Sequence, residues 1–234
     1  MNLLEEFALL AHDDRGARII DTTRLAHGLG GAVLMELALG GRIDIADDKV
    51  VVLDRSPLGD PILDEALARI GDDTKQRKAS HWVAKFTKWI RQAVLDRLVT
   101  AEVLRAERST VLLVFPRTRY PSAYGTEPVA RSDARQRMTG AILRSGTIDA
   151  RTGALCALVS AAGMDSKLFA DLDRKLVKAR LKEISEGNWA ADAVRRAFQN
   201  VQTAVVVAVV AAGEGGGGGD GGGGGDGGGG GGGS

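Results

Sequence analysis

Residues 28–42 read GLGGAVLMELALGGR and run directly into RIDIADDKVVVLD at 42–54. A glycine cluster opens the stretch, and residues 31–39 are expected to form one short apolar helix ended by a second glycine pair. Ile43 and Ile45 then alternate with Asp44, the chain turns at Asp47-Asp48-Lys49, and Val50–Leu53 returns apolar. That pattern predicts a hairpin over 42–54, since strands repeat every second residue and Asp-rich pairs favour turns. GLGG lacks the third glycine and the surrounding β-α-β unit of a dinucleotide-binding turn. No residue in the stretch is an obvious catalyst.

Working outward, the periodicity predicts a mostly helical chain. Leu3, Leu4, Phe7, Ala8 and Leu10 place an amphipathic helix at 2–12, ended by His12-Asp13-Asp14. ARII at 17–20 reads as a short strand, and Asp21-Thr22-Thr23 supplies N-cap candidates for a helix reaching about His27. Asp60-Pro61 opens another helix, with proline where its missing N–H costs little. Helical spacing continues through Phe86 and over 87–101, where Trp89, Ile90, Val94, Leu95, Leu98 and Val99 form the stripe. VLLVF at 111–115 reads as a strand leading into the proline-bearing loop PRTRYPSAYGTEP. Helices are expected at about 127–145, 151–163, 167–186 and 189–212. The fold class is therefore mostly α, a helical bundle with one or two small β-hairpins.

Composition sets further bounds. From Gly213 to Ser234 the chain is glycine broken only by Glu214, Asp220, Asp226 and the final serine. Glycine offers no side chain to bury and the largest entropy of ordering, so this tail is expected to be a disordered coil after a single domain at 1–212. The tail holds three acids and no bases, which leaves residues 1–212 with 31 basic and 27 acidic side chains. That is far from the balance of a dedicated nucleic-acid binder. The lone Cys156 allows no internal disulfide and fits a reducing cytoplasm. The acidic N-terminus is unlike a secretory signal, and the apolar run at 203–212 is about half of what spans a bilayer. Any membrane contact is expected from the surface.

Catalytic and metal-binding signatures are thin. His12, His27 and His81 stand at no metal-ligand spacing, and no carboxylate pair is singled out, so neither an enzyme nor a cofactor or metal site is expected. Basic residues are more informative. Lys88 and Arg91 lie three apart on the expected helix, a spacing that suits a phosphate but also an ordinary solvated face. Arg117 and Arg119 alternate beyond VLLVF and are followed by Tyr120, Pro121 and Tyr124. Apolar residues such as Leu113 and Phe115 beside arginines would suit an anionic bilayer interface, although burial in a sheet explains an aliphatic strand as well. Arg131, Arg135 and Arg137 are expected on a solvated helix face.

Taken in order, LLEEFALLAHDDRG, GLGGAVLMELALGGRI, GDPILDEAL, IRQAVLDRLVTAEVL, VLLVF with its loop, and AVVVAVVAA resemble the Golgi phosphoprotein 3 family over nearly all of residues 1–212. A bacterial member is the closest description, given the glycine tract. The resemblance implies a single helical domain with a protruding hairpin. It also implies membrane association through phosphatidylinositol 4-phosphate, contacts with client proteins, and self-association through the hairpin. Lys88 and Arg91 match the family's basic-x-x-Arg pair, whereas its tryptophan falls at Asp21 and its third cation at Gly30. Arg24, a helical turn after Asp21, is the expected compensation.

The expected function is thus a cytoplasmic, peripherally membrane-associated protein binding anionic phospholipid headgroups. Lys88, Arg91 and Arg24 would meet the phosphate, and Leu113, Phe115, Arg117, Arg119 and Tyr120 would form the membrane-contact or oligomerisation hairpin. The alternative is an adaptor that binds a protein or peptide without lipid. Nucleic acid is not an expected partner, because the helix AVLMELALGG has no Arg or Lys to reach a base or phosphate.

Overall fold

The structure, a computed structural model, describes residues 1–47, 49–111, 115–144, 148–186 and 201–211, with the side chains of residues 109, 111 and 115–117 outside that description. Its helices are α1 (Leu3–Leu10), α2 (Thr22–Leu39), α3 (Pro61–Gly71), α4 (Ala79–Phe86), α5 (Ile90–Thr100), α6 (Val129–Leu143), α7 (Ala150–Ala161), α8 (Asp165–Leu168) and α9 (Arg174–Ser185). Residues 201–211 add a further helix, α10. Two antiparallel hairpins interrupt them: β1 (Ile43–Ala46) with β2 (Lys49–Val52), and β3 (Glu107–Val111) with β4 (Phe115–Arg119). The expected glycine-rich tail at 213–234 lies outside the described residues, as do 189–200 of the last expected helix.

At the centre is α2, buried almost all round from Leu25 to Leu37. A helix apolar on every side belongs inside a bundle, and α1 and α7, nearly as buried, pack against it. The sequence reading broke α2 at its glycines, but the helix runs straight through them. The reason is close packing. A Cβ at Gly28 would lie 2.3 Å from the Phe7 ring, at Gly30 2.8 Å from the Val83 carbonyl oxygen, and at Gly31 2.6 Å from Val205. Each glycine admits a different neighbour: α1, α4 or α10. The cluster is a seam between helices rather than a turn. Val201, Val205, Ala208 and Val209 form the buried stripe by which α10 meets this seam.

Other boundaries also differ from expectation. Residues 17–20 are not a strand; Arg18 makes only an isolated bridge with His12, and Ile19 N–H donates to Ala11 O at 2.9 Å. The helical run through Phe86 and 101 breaks at 87–89. There the Thr87 hydroxyl donates to Ala84 O at 2.7 Å, the side-chain competition that ends helices. Trp89 folds edge-on to Phe86, with the Arg69 guanidinium 4.9 Å over its ring. VLLVF does not form one strand. Val111 ends β3 and Phe115 begins β4, directly paired, with residues 112–114 outside the described residues, and PRTR continues as strand. The expected helix at 167–186 is split into α8 and α9.

Candidate functional site

The loop between α1 and α2 is fastened to the base of the β3–β4 hairpin, and this places Arg18. Asp13 Oδ1 accepts the N–H groups of Arg15 at 3.0 Å and Ala17 at 2.7 Å, a side-chain-stabilised turn typical of Asp. Gly16 in this turn has φ +69°, and a Cβ there would lie 2.1 Å from Pro121 N. Only glycine combines that left-handed backbone with such an approach. Tyr120 N–H therefore reaches Gly16 O at 2.9 Å.

Arg18 and Arg91 line one cavity of about 380 Å³, whose wall also includes Gln92 from α5, Thr118 from β4, Tyr120 and His12. Neither guanidinium has a carboxylate partner among the described residues. Elsewhere arginines are engaged: Arg97 by Asp60, Arg137 by Glu6 and Arg151 by Glu36, each at 2.6 Å. Two unpaired guanidiniums beside one opening can grip an anion from two directions, each with a planar fork of donors.

The other expected site residues divide clearly. Lys88 is exposed in the turn between α4 and α5, not on a helix with Arg91, and does not line the cavity. Arg24 lies elsewhere, its Nε 3.4 Å from Asp21, and is not part of the wall. Tyr120 is in the wall, whereas Arg119 alternates to the other face of β4 from Thr118, its Nε buried without a hydrogen-bond partner. Phe115 and Arg117 stand on β4 by backbone alone, and Leu113 lies outside the described residues. Arg131 and Arg137 are not a solvated face. Arg131 Nη1 holds Asp14 at 2.8 Å, and Arg137 bonds both Glu6 and Thr152.

Arg18, Gln92, Thr118 and His12 were missed by the sequence reading. The signal for Arg18 was present in HDDRG, whose Asp and Gly form the turn that presents it. His12 is 3% exposed. Burial pushes its imidazole below the usual 6.5, against the raising effect of its bond to Ala8 O, so the ring is neutral at pH 7. Among the described residues no group of three or more His, Cys, Asp or Glu side chains could hold a metal ion.

A family model for Golgi phosphoprotein 3 (GPP34) matches residues 3–201. The chain belongs to the Golgi phosphoprotein 3 family. In this Golgi phosphoprotein 3 family member, the two positions where the resemblance placed further pocket groups serve the fold instead. Asp21 caps α2 by accepting Arg24 N–H at 2.8 Å. Gly30 is pressed against Val83 of α4, with no room for a side chain. Among the described residues no helix is long and apolar enough to cross a membrane.

Proposed function

We propose that the protein docks peripherally on membranes by binding anionic phospholipid headgroups, with the phosphate held between Arg18 and Arg91. The observation that carries this reading is the pair of guanidiniums, both without carboxylate partners, on one cavity wall. Thr118 and Gln92 add hydrogen-bonding groups beside them. Lys88 lies three residues before Arg91 in the exposed turn between α4 and α5, and β4 brings the β3–β4 hairpin to the cavity through Thr118. A strand hairpin whose β4 residue Thr118 stands in the wall of a cationic cavity suits a bilayer interface, where cations meet lipid phosphates. With Asp21 and Gly30 taken up by the fold, the site recognises phosphate charge without selecting the 4-phosphate.

Vesicle co-sedimentation tests this. Wild type is expected to sediment with phosphatidylserine and phosphatidylinositol 4-phosphate vesicles matched for charge, and not with phosphatidylcholine alone. The Arg18→Ala/Arg91→Ala variant is expected to stay in the supernatant. Equal sedimentation of wild type and variant would remove the cavity from the function.

A further inference from the structure

His12 is an acceptor that the phosphate-binding cavity does not satisfy. Its Nδ1 lies 2.7 Å from Ala8 O, and because a carbonyl only accepts, Nδ1 carries the proton and Nε2 is a bare lone pair. Nε2 is buried and has no partner. An anion between Arg18 and Arg91 offers acceptors, not donors, so it leaves Nε2 unpaired.

His12 and Tyr120 form a wall shared with a second cavity, of about 220 Å³, which also takes in Asp13, Glu127 and Arg131 over an apolar base that includes Leu104. Arg131 there is already held by Asp14 at 2.8 Å and Glu127 at 3.4 Å, and Glu127 is held again by Arg135. Asp13 has no cationic partner among the described residues, and only its Oδ1 is used, in the turn. The wall thus carries three carboxylates, Asp13, Asp14 and Glu127, against the one guanidinium of Arg131, and its unspent acceptors include an Asp13 oxygen and the imidazole lone pair, with Tyr120, Ser122 and Thr126 also lining it. The ligand that fits is cationic and rich in donors.

We propose that this second cavity binds a primary ammonium group, with Asp13 supplying the countercharge and His12 Nε2 accepting one of its N–H donors. An ammonium is compact and carries three donors, enough for Asp13, His12 and a hydroxyl oxygen of Ser122 or Thr126 on the same wall. This site is separate from the phosphate reading and stands without it. The ammonium has two sources, a free small amine or the ethanolamine headgroup of a phospholipid.

Ethanolamine and choline are titrated into the full-length protein, and the imidazole nitrogens of its three histidines are followed by long-range nitrogen-15 NMR. Ethanolamine is expected to bind saturably, moving the His12 Nε2 resonance while His27 and His81 stay in place. Choline, which has no N–H donor, is expected to leave His12 unmoved. Asp13→Asn keeps the oxygen that holds the turn and is expected to weaken ethanolamine binding about tenfold, the loss of one charge-assisted contact. Arg91→Ala is expected to bind ethanolamine as wild type does, so loss of the anion site and loss of this one are read separately. Vesicles of phosphatidylethanolamine in phosphatidylcholine identify the source: Asp13-dependent sedimentation assigns the lipid headgroup, and its absence beside ethanolamine binding assigns the free amine. The site is overturned by an unmoved His12 resonance under ethanolamine, by equal shifts with choline, or by unchanged affinity in Asp13→Asn.

Discussion

Gly30 and Gly140 show how one residue type carries opposite meanings within helices. A Cβ at Gly30 would stand 2.8 Å from the Val83 carbonyl oxygen, whereas at Gly140 nothing lies within 4 Å. Gly30→Ala is expected to destabilise by about 1–3 kcal/mol, the cost of overpacking against backbone, and Gly140→Ala to stabilise by about 0.5–1 kcal/mol through helix propensity. Thermal denaturation of the two variants checks both signs. Glu6 poses a different problem at the same scale. It is 7% exposed, and burial raises its pKa above 4.5 despite the Arg137 guanidinium at 2.6 Å. The folded chain thus holds that proton more tightly than the unfolded chain, so this group's contribution to stability falls as pH rises from 4.5 through the folded pKa. Arg137→Met strips the buried carboxylate of its partner and should cost about 3 kcal/mol at neutral pH, most of it recovered in Glu6→Gln/Arg137→Met. Urea denaturation of the single and double variants reads the difference.

Between elements, the joint at Asp60 ties three helices together. Asp60 caps α3 through the Ile62 and Leu63 N–H groups, takes both terminal nitrogens of Arg97 from α5, and accepts Asn2 Nδ2 beside α1. Burial alone would raise its pKa, but the Arg97 and backbone bonds outweigh it and hold the carboxyl below 3.8. A depressed carboxylate adds stability above its unfolded pKa and loses it as pH falls through the folded value. Asp60→Asn keeps the cap and loses the charge, so it should cost about 1–3 kcal/mol at pH 7. That gap between wild type and variant should close below pH 3.8, as unfolding midpoints across pH would show. Such joints explain which elements could be read from the sequence. The β1–β2 hairpin, α3 with its Asp60-Pro61 start, and α7 were legible because local period and capping decide them. The passage of α2 through Gly28, Gly30 and Gly31 was not, because the reason for those glycines lies on α1, α4 and α10. Half of the proposed phosphate site was legible for the same cause. Arg91 lies in a regular helix, while Arg18 depends on a turn fastened to Tyr120 more than a hundred residues away.

For the molecule as a whole, the charges nearly cancel, at a formal net of +1, so no large field steers it toward an anionic surface. In the proposed docking, attraction to a membrane must then be local to the cavity, because screening confines exposed charges to about 10 Å at moderate salt. A charge-matched comparison separates local from global attraction. Arg18→Ala/Arg91→Ala and Lys175→Ala/Lys178→Ala each remove two cations; the second pair is exposed on α9. At about 1 kcal/mol per cation at a membrane surface, the cavity variant should lose roughly 30-fold in partitioning onto phosphatidylserine vesicles, and the α9 variant almost nothing. Raising salt should weaken wild type strongly and the cavity variant little, since the contacts that salt screens are already gone. Equal losses in the two variants would mean that the surface responds to total charge, and the Arg18–Arg91 wall would then have no special part in docking.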